Sequence, residues 1–390
     1  MSHELFNRSA DLKRLRDEGY AVEVVGSHLV LRDVPYVASD GKVKTGVIIS
    51  SLALAGDVTR SPDCHKVHFD GERPHQADGK PVEGILNSSG DFDLGGGLRA
   101  KHLFSSKPAE GYQDYFHKMT HYASILAGHA QQIDPEVSPK TYRVPGGTSE
   151  SVHYYADTAT GRAEIGSYAD RLAKEKIAII GLGGTGSYIL DFVAKTCVSE
   201  VRLFDDDEFL SHNAFRAPGA ASIEELRGVP MKVDYLAEVY SRMHRHIIPH
   251  GTRLTADNLD LLDGVTFAFL AIDSGEAKRV IVEKLEALDI DFVDAGMGLE
   301  ATDKGITGIV RTTTSVQANR EVFRDRVPFS GGGADDLYVS NVQVAELNAF
   351  NAVSAVLQWK KLRGFYCDLE GQLHSTYTVD GNMLLNEEVA

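Results

Sequence analysis

The segment KIAIIGLGGTGSYILDFVAK carries Gly181, Gly183, Gly184 and Gly186 in a Gly-x-Gly-Gly-x-Gly turn between an apolar run and a stretch of helical periodicity. Glycines in that setting let the backbone turn tightly and approach a phosphate, whose charge then faces unsatisfied N–H groups at the positive end of a helix. Asp205 closes the next apolar run, VRLFD, where a carboxylate can accept hydrogen bonds from both hydroxyls of a ribose. Together they predict a nucleotide site, and by themselves they leave NAD, FAD and ATP open. A second cluster, CHKVHFDGERPH, groups Cys64 with His65, His68 and His75, with Asp63 and Asp70 nearby. Histidine can lower a thiol pKa, and one cysteine with two histidines can hold a metal. However, HKVHF alternates as a strand does, placing His65 and Val67 on one face and Lys66 and His68 on the other. Capping and hydrogen bonding within a loop is the simpler use of these polar groups.

The elements that must position the glycine turn alternate. KIAIIG (176–181), VRLFD (201–205), TFAFLAID (266–273) and DFVDAGMG (291–298) are continuous apolar runs, the composition of strands buried on both faces of a parallel sheet. Helical stretches at 185–198 and 276–288 provide crossovers, and a long helix is expected over 342–363. The fold class is therefore α/β, a doubly wound and mostly parallel sheet over 150–390. Residues 1–145 read differently, as an α+β domain. An amphipathic helix at Ala10–Asp17 precedes strand-like AVEVVGSHLVLRDV and KTGVIISSLAL, and a loop is expected from Ser61 to Gly97, where Gly, Pro, Asp and Ser crowd. GYQDYFHKMTHYASILAGHAQQI then has helical spacing up to Asp134-Pro135, and Pro139, Pro145 and Gly146-Gly147 mark a linker.

Composition narrows the function classes. The 390 residues are 43% hydrophobic and 25% charged, an ordinary globular balance. Forty Lys+Arg against 56 Asp+Glu give a net charge of −16, which repels nucleic acid and anionic membrane. Three cysteines, none in a CxxC pair, form no disulfide framework and suit a reducing cytosol. The charged N-terminus lacks a signal core, and no window approaches the ~18 apolar residues of a spanning helix. A cytoplasmic protein without nucleic-acid or membrane partners is expected.

At VRLFDDDEFLSHNAFRAP the acidic strand end leads into Asn213-x-x-Arg216, at the right distance after GLGGTGS. This combination resembles the ThiF/MoeB family and the adenylation domain of ubiquitin-activating enzymes, over most of 165–390. The resemblance implies ATP and Mg²⁺ as cofactors, with Asp205 and Asp207 beside the glycines in the nucleotide site. It places Asn213, Arg216 and Lys232 (in GVPMKVDYL) on the triphosphate, and Asp273 (in FAFLAIDSGEAKR) on the magnesium. It also implies a homodimer in which Arg162 (in TATGRAEIGSYADRL) reaches the partner protomer's ATP. The implied reaction is adenylation of a carboxylate, the C-terminus of a small ubiquitin-like protein, with release of pyrophosphate. Such chemistry needs cations for the phosphates, a neutral donor and a hard oxygen ligand, which this set supplies. An NAD-dependent oxidoreductase shares the glycine turn and Asp205 but leaves the other residues unexplained.

The chain departs from that family's pattern in two places. Three cysteines cannot build the two-CxxC zinc site many members hold. The crossover loop IVRTTTSVQANREVFRDRVPFSGGGADDLYVSN contains no cysteine, which excludes self-thioesterification there; Gly331, Gly332 and Gly333 suggest a loop able to close over a peptide tail. These departures keep a third reading open, a non-catalytic nucleotide-binding scaffold. Cys197 is expected as a buried small hydrophobe on the first crossover helix, and Cys367 as a structural residue in a strand. The N-terminal part resembles the ubiquitin-conjugating type of domain that precedes ThiF-like domains in some bacterial proteins, and no conjugating cysteine is assigned from it.

Overall fold

A computed structural model describes residues 2–387 apart from 144, 146–150, 155–156, 158, 161–162, 164, 273–274, 328 and 330–341. The chain divides into two compact units, Met1–Asp170 and Arg171–Ala390.

In the first unit, α1 (Ser2–Arg8) and α2 (Ala10–Asp17) precede β1 (Val22–Val25), β2 (His28–Val37) and β3 (Val43–Ser51). A small hairpin, β4 (Leu54–Ala55) and β5 (Val58–Thr59), leads to β6 (Lys66–Asp70), β7 (Leu86–Gly95) and β8 (Leu98–Ser105). Helices α3 (Tyr115–Gln131) and α4 (Gly166–Ala169) follow. The main sheet is antiparallel, in the order β1-β2-β3-β6-β8-β7. Amphipathic spacing explains the helices. Leu12 and Leu15 of α2 are fully buried while Lys13 and Arg14 face solvent, and Tyr115, Met119, Tyr122 and Leu126 put one face of α3 into the same core as Leu29, Ile48 and Phe69. Asp114 starts α3 by accepting the His117 N–H at 2.7 Å. The expected loop from Ser61 to Gly97 is corrected: it contains β6 and β7. β7 escapes notice because it is an edge strand with mostly exposed polar residues, which needs no apolar alternation.

The second unit has the expected α/β class. Its elements are β9 (Lys176–Ile180), α5 (Gly184–Val193), β10 (Glu200–Phe204), α6 (Ser211–Ala214), α7 (Ile223–Arg227), α8 (Lys232–Tyr240) and β11 (Ile247–His250). Then come β12 (Phe267–Leu270), α9 (Gly275–Ala287), β13 (Asp291–Thr302), β14 (Gly305–Ser315), α10 (Arg320–Arg326), α11 (Ala345–Leu362), β15 (His374–Thr378) and β16 (Met383–Glu387). The sheet order is β11-β10-β9-β12-β13-β14-β15-β16, with the first five strands parallel and the last three added antiparallel. Ile177, Ile179 and Phe269 enter one core with Trp359 of α11, while Ala178, Ile180 and Leu270 enter the other with Ile281 of α9. Both faces are covered, which is why these strands read as unbroken apolar runs.

The chain leaves β9 in one direction to β10 and β11, then crosses back to β12 on the other side. That reversal opens a crevice beyond the carboxyl ends of β9 and β12, where open α/β sheets bind ligands. Two further expectations are corrected. Helix α5 stops at Val193, whose carbonyl accepts both the N–H and the hydroxyl of Thr196, so Cys197 lies past the helix and is half-buried against the core. Cys367 sits in an exposed loop between α11 and β15, outside any strand.

Candidate active site

The glycine turn is shaped by two close approaches. Gly181 has φ +89°, and a Cβ there would lie 2.4 Å from the Ala271 carbonyl oxygen; a Cβ on Gly186 would lie 1.9 Å from the Gly181 oxygen. Any side chain at either position would push the turn off the end of the sheet. At Gly183 a Cβ would meet nothing within 4 Å among the described residues, because this residue faces the crevice. It is also the N-cap of α5 and, lacking a side chain, makes no cap hydrogen bond to the helix. The first N–H groups of α5 are thereby left for a ligand.

Asp205 stands beside the turn at the end of β10. Its Oδ2 accepts the Leu182 N–H at 2.6 Å and its Oδ1 the Asp207 N–H at 3.0 Å. Each oxygen retains a further lone pair for a hydroxyl donor. Lys232, the first residue of α8, reaches back with its Nζ 2.5 Å from Asp207 Oδ2 and 3.4 Å from Asp205 Oδ1. Its ammonium holds the Asp207 carboxyl below the usual carboxylate range. On the outer side the Arg253 guanidinium is 3.4 Å from Asp206. Asp205, Asp206 and Asp207 can each bring one oxygen within 4.8 Å of the others, a hard-oxygen set of the kind Mg²⁺ takes.

Arg216 completes the polar wall. One guanidinium nitrogen donates to Gln343 Oε1 at 3.0 Å, and its buried Nε has no hydrogen-bond partner among the described residues. Asn213 does not line the crevice: it is buried, and its Oδ1 accepts the Leu210 N–H at 2.9 Å to hold the turn of α6 that carries Arg216. Gly186 likewise packs behind the turn. Asp273 and Arg162 lie outside the described residues, as do Gly331, Gly332 and Gly333.

The crevice has a volume of about 370 Å³, within the range of roughly 300–1,000 Å³ usual for small-molecule sites. Its lining combines two kinds of residue: Ile180, Phe204, Leu254, Ile272, Ala277 and Ile281 are apolar, and the glycine turn, the aspartates, Lys232, Arg216 and Arg253 are polar or charged. An arrangement of this kind can seat a planar base on apolar side chains and spread phosphates over N–H groups and cations. Thr252, Arg253 and Leu254 were missed by sequence reasoning because they follow β11, a short edge strand interrupted by Pro249. Thr185, the variable position between Gly184 and Gly186, also lines the crevice, as do Met297 and Gln343, which carry no motif.

The cysteine–histidine cluster of the first unit does not converge. Cys64 Sγ accepts the Lys66 N–H at 3.4 Å, the His65 ring meets Ser105 Oγ at 3.1 Å, and the His75 ring meets the Arg73 carbonyl at 2.9 Å. His68 is buried, which pushes its pKa down to about 4. The strand alternates as expected: Val67 and Phe69 enter the core that holds Leu29 and Ile48, while His68 packs on Phe92 on the opposite face, and both faces are buried.

A model of the ThiF family matches residues 159–374, more than half of the chain. A model described as a domain of unknown function, DUF6791, matches residues 10–158. No curated protein matches the chain. Among solved structures, E. coli MccB with MccA-N7isoASN has a TM-score of 0.44 and 14% identity, covering 57% of this chain; the chain spans 66% of the length of that protein. PaaA has a TM-score of 0.47 and 18% identity, with 69% of this chain and 92% of that one covered. E. coli tRNA N6-threonylcarbamoyladenosine dehydratase, TcdA, has a TM-score of 0.38 and 19% identity, with coverages of 51% and 89%. Among the described residues no helix is long and apolar enough to cross a membrane.

Proposed function

Because the chain belongs to the ThiF family, we propose that it is an ATP-dependent adenylyltransferase that activates the C-terminal carboxylate of a small ubiquitin-like protein or peptide. The observation that carries this reading is the meeting, in one crevice, of an uncapped helix N-terminus, Asp205, Lys232 and Arg216. In the reaction the substrate carboxylate attacks the α-phosphorus of ATP, the bond to the β-phosphate oxygen breaks, and pyrophosphate leaves.

Each residue then has a task. Asp205 accepts from the ribose hydroxyls. The N–H groups at the start of α5, with Arg216 and Lys232, neutralise charge that grows on the phosphate oxygens as the leaving group departs. The buried Nε of Arg216, without a hydrogen-bond partner among the described residues, is offered to the phosphates; Lys232 must exchange Asp207 for phosphate. Mg²⁺, when bound by Asp273 or the Asp205–Asp207 carboxylates, supplies further neutralisation of the triphosphate. Asn213 acts by holding the Arg216 turn. In this reading the protein is a homodimer whose Arg162 reaches the partner protomer's nucleotide, and the first unit recognises the substrate or receives the activated carboxylate.

ATP–pyrophosphate exchange tests the reading. Exchange that depends on a small β-grasp protein ending in glycine supports it, and MgATP binding without any exchange would instead support a nucleotide-binding scaffold.

A further inference from the structure

Thr185, the second residue of α5, lines the crevice next to Gly183 and Gly184. Its Oγ1 lies 3.0 Å from Oδ1 of Asn348, on the first turn of α11. Asn348 is 1% exposed, and its Nδ2 is buried with no hydrogen-bond partner among the described residues. That amide is pressed against the turn, for a Cβ on Gly184 would lie 2.1 Å from it. A fully buried amide thus sits directly behind an uncapped helix N-terminus with a donor unspent.

The two ways of placing the amide have different consequences. With Oδ1 toward Thr185, the threonine hydroxyl must donate to Asn348, its proton points away from the crevice, and Nδ2 stays unsatisfied. With the amide turned over, Nδ2 donates to Thr185 Oγ1, and the hydroxyl proton is released to point into the crevice. Oxygen and nitrogen of an amide are assigned from the hydrogen-bond network. An anion at the helix N-terminus favours the second arrangement, because it adds an acceptor for the released proton and satisfies the buried donor in the same step.

Resting on the nucleotide reading above, we propose that Thr185 is a phosphate-binding residue and that Asn348 is its positioning residue, whose amide supplies the hydrogen bond that frees the Thr185 hydroxyl to donate to a nucleotide phosphate. Helix α11 ties this device to the opposite wall. Asn351, three residues on, donates from Nδ2 to the Gly296 carbonyl at 3.1 Å, between the crevice residues Ala295 and Met297. Thr312 Oγ1 donates to the other end of the same amide at 3.3 Å. One helix therefore fixes both the phosphate turn and the β13 wall.

The test is calorimetric titration of the full chain with MgATP and, separately, with adenosine, which lacks phosphates. Thr185→Val keeps the shape and removes the hydroxyl; it is expected to weaken MgATP binding about tenfold, the loss of one hydrogen bond to a charged group. Thr185→Ser is expected to restore it to within about twofold. Asn348→Leu, of similar size, uncharged and without a donor, is expected to weaken MgATP as Thr185→Val does. Adenosine affinity is expected to stay unchanged in all three, which a merely structural role of either residue would not produce. MgATP bound equally by wild type and Thr185→Val overturns the proposal and leaves the nucleotide reading standing. Equal losses for MgATP and adenosine also overturn it, since the residues would then be structural. A wild-type chain that binds no MgATP removes the nucleotide reading itself, and the proposal with it.

Discussion

Lys232 Nζ and Asp207 Oδ2 lie 2.5 Å apart, and this contact closes a loop of chain in which the Lys232 N–H also donates to the Asp207 carbonyl at 2.9 Å. The same ammonium is the nearest cation to the nearly buried Asp205, at 3.4 Å. One lysine therefore joins the end of β10 to the start of α8. Lys232→Met should abolish nucleotide-dependent activity and also cost about 1–3 kcal/mol of stability by leaving Asp205 without a counter-charge. Urea unfolding of the variant against wild type measures it. Because Lys232 depresses the Asp207 pKa, that contact contributes stability above the usual carboxylate range and loses it as pH falls through the depressed value.

Arg216 should matter to catalysis far more than to folding. Among the described residues its guanidinium donates to Gln343 and its buried Nε has no hydrogen-bond partner. Arg216→Ala should lower ATP–pyrophosphate exchange by ~10²-fold, as removal of one preorganised donor to a transition state usually does. Gln343→Leu, which only releases the guanidinium from its hydrogen bond, should cost less. Exchange rates at saturating MgATP separate the two.

Asp294 is fully buried on β13, with Lys278 Nζ of α9 at 2.6 Å and a nitrogen of Arg311 on β14 also at 2.6 Å. Removing its charge leaves two cations facing each other out of water. Asp294→Ala should cost about 3–5 kcal/mol. Asp294→Asn, which keeps hydrogen-bonding atoms, should cost less, and the urea midpoints of the two variants report the order.

The first unit carries an inverse charge problem. Lys118 on α3 is buried with its Nζ 2.7 Å from Ser50 Oγ, and burial pushes its pKa from 10.5 down to about 8. Between those values the unfolded chain binds the proton and the folded chain does not, so stability should rise with pH from about 8 to 10.5. Burial of His28 and His68 moves both from 6.5 to about 4, which adds a second rise over that lower window. Lys118→Met should remove the upper rise alone and stabilise the protein below pH 8 by roughly 3 kcal/mol. Denaturant midpoints across pH, wild type minus variant, isolate it.

The parts of the site that were legible beforehand are those written in consecutive residues. Gly181 to Gly186 and Asp205 announce themselves because a tight turn, a helix start and a strand end each restrict residue type locally. Arg216 and Lys232 were readable through the family resemblance of the segment that follows Asp205, and the structure adds that Asn213 holds the turn just before Arg216. Contacts made at long range left no such mark. Asn348 meets Thr185 across 163 positions, and Arg253 reaches Asp206 from beyond an edge strand. β7 was hidden for a related reason: at the edge of a sheet, Gly, Ser and Asp can fill a strand that packing does not require to be apolar.

The central claim is that this crevice takes MgATP, and direct titration of the purified chain with MgATP and with NAD⁺ tests it most simply. The account predicts saturable binding of MgATP that Arg216→Ala weakens, with NAD⁺ bound far more weakly. Tight NAD⁺ binding with negligible binding of MgATP would contradict it.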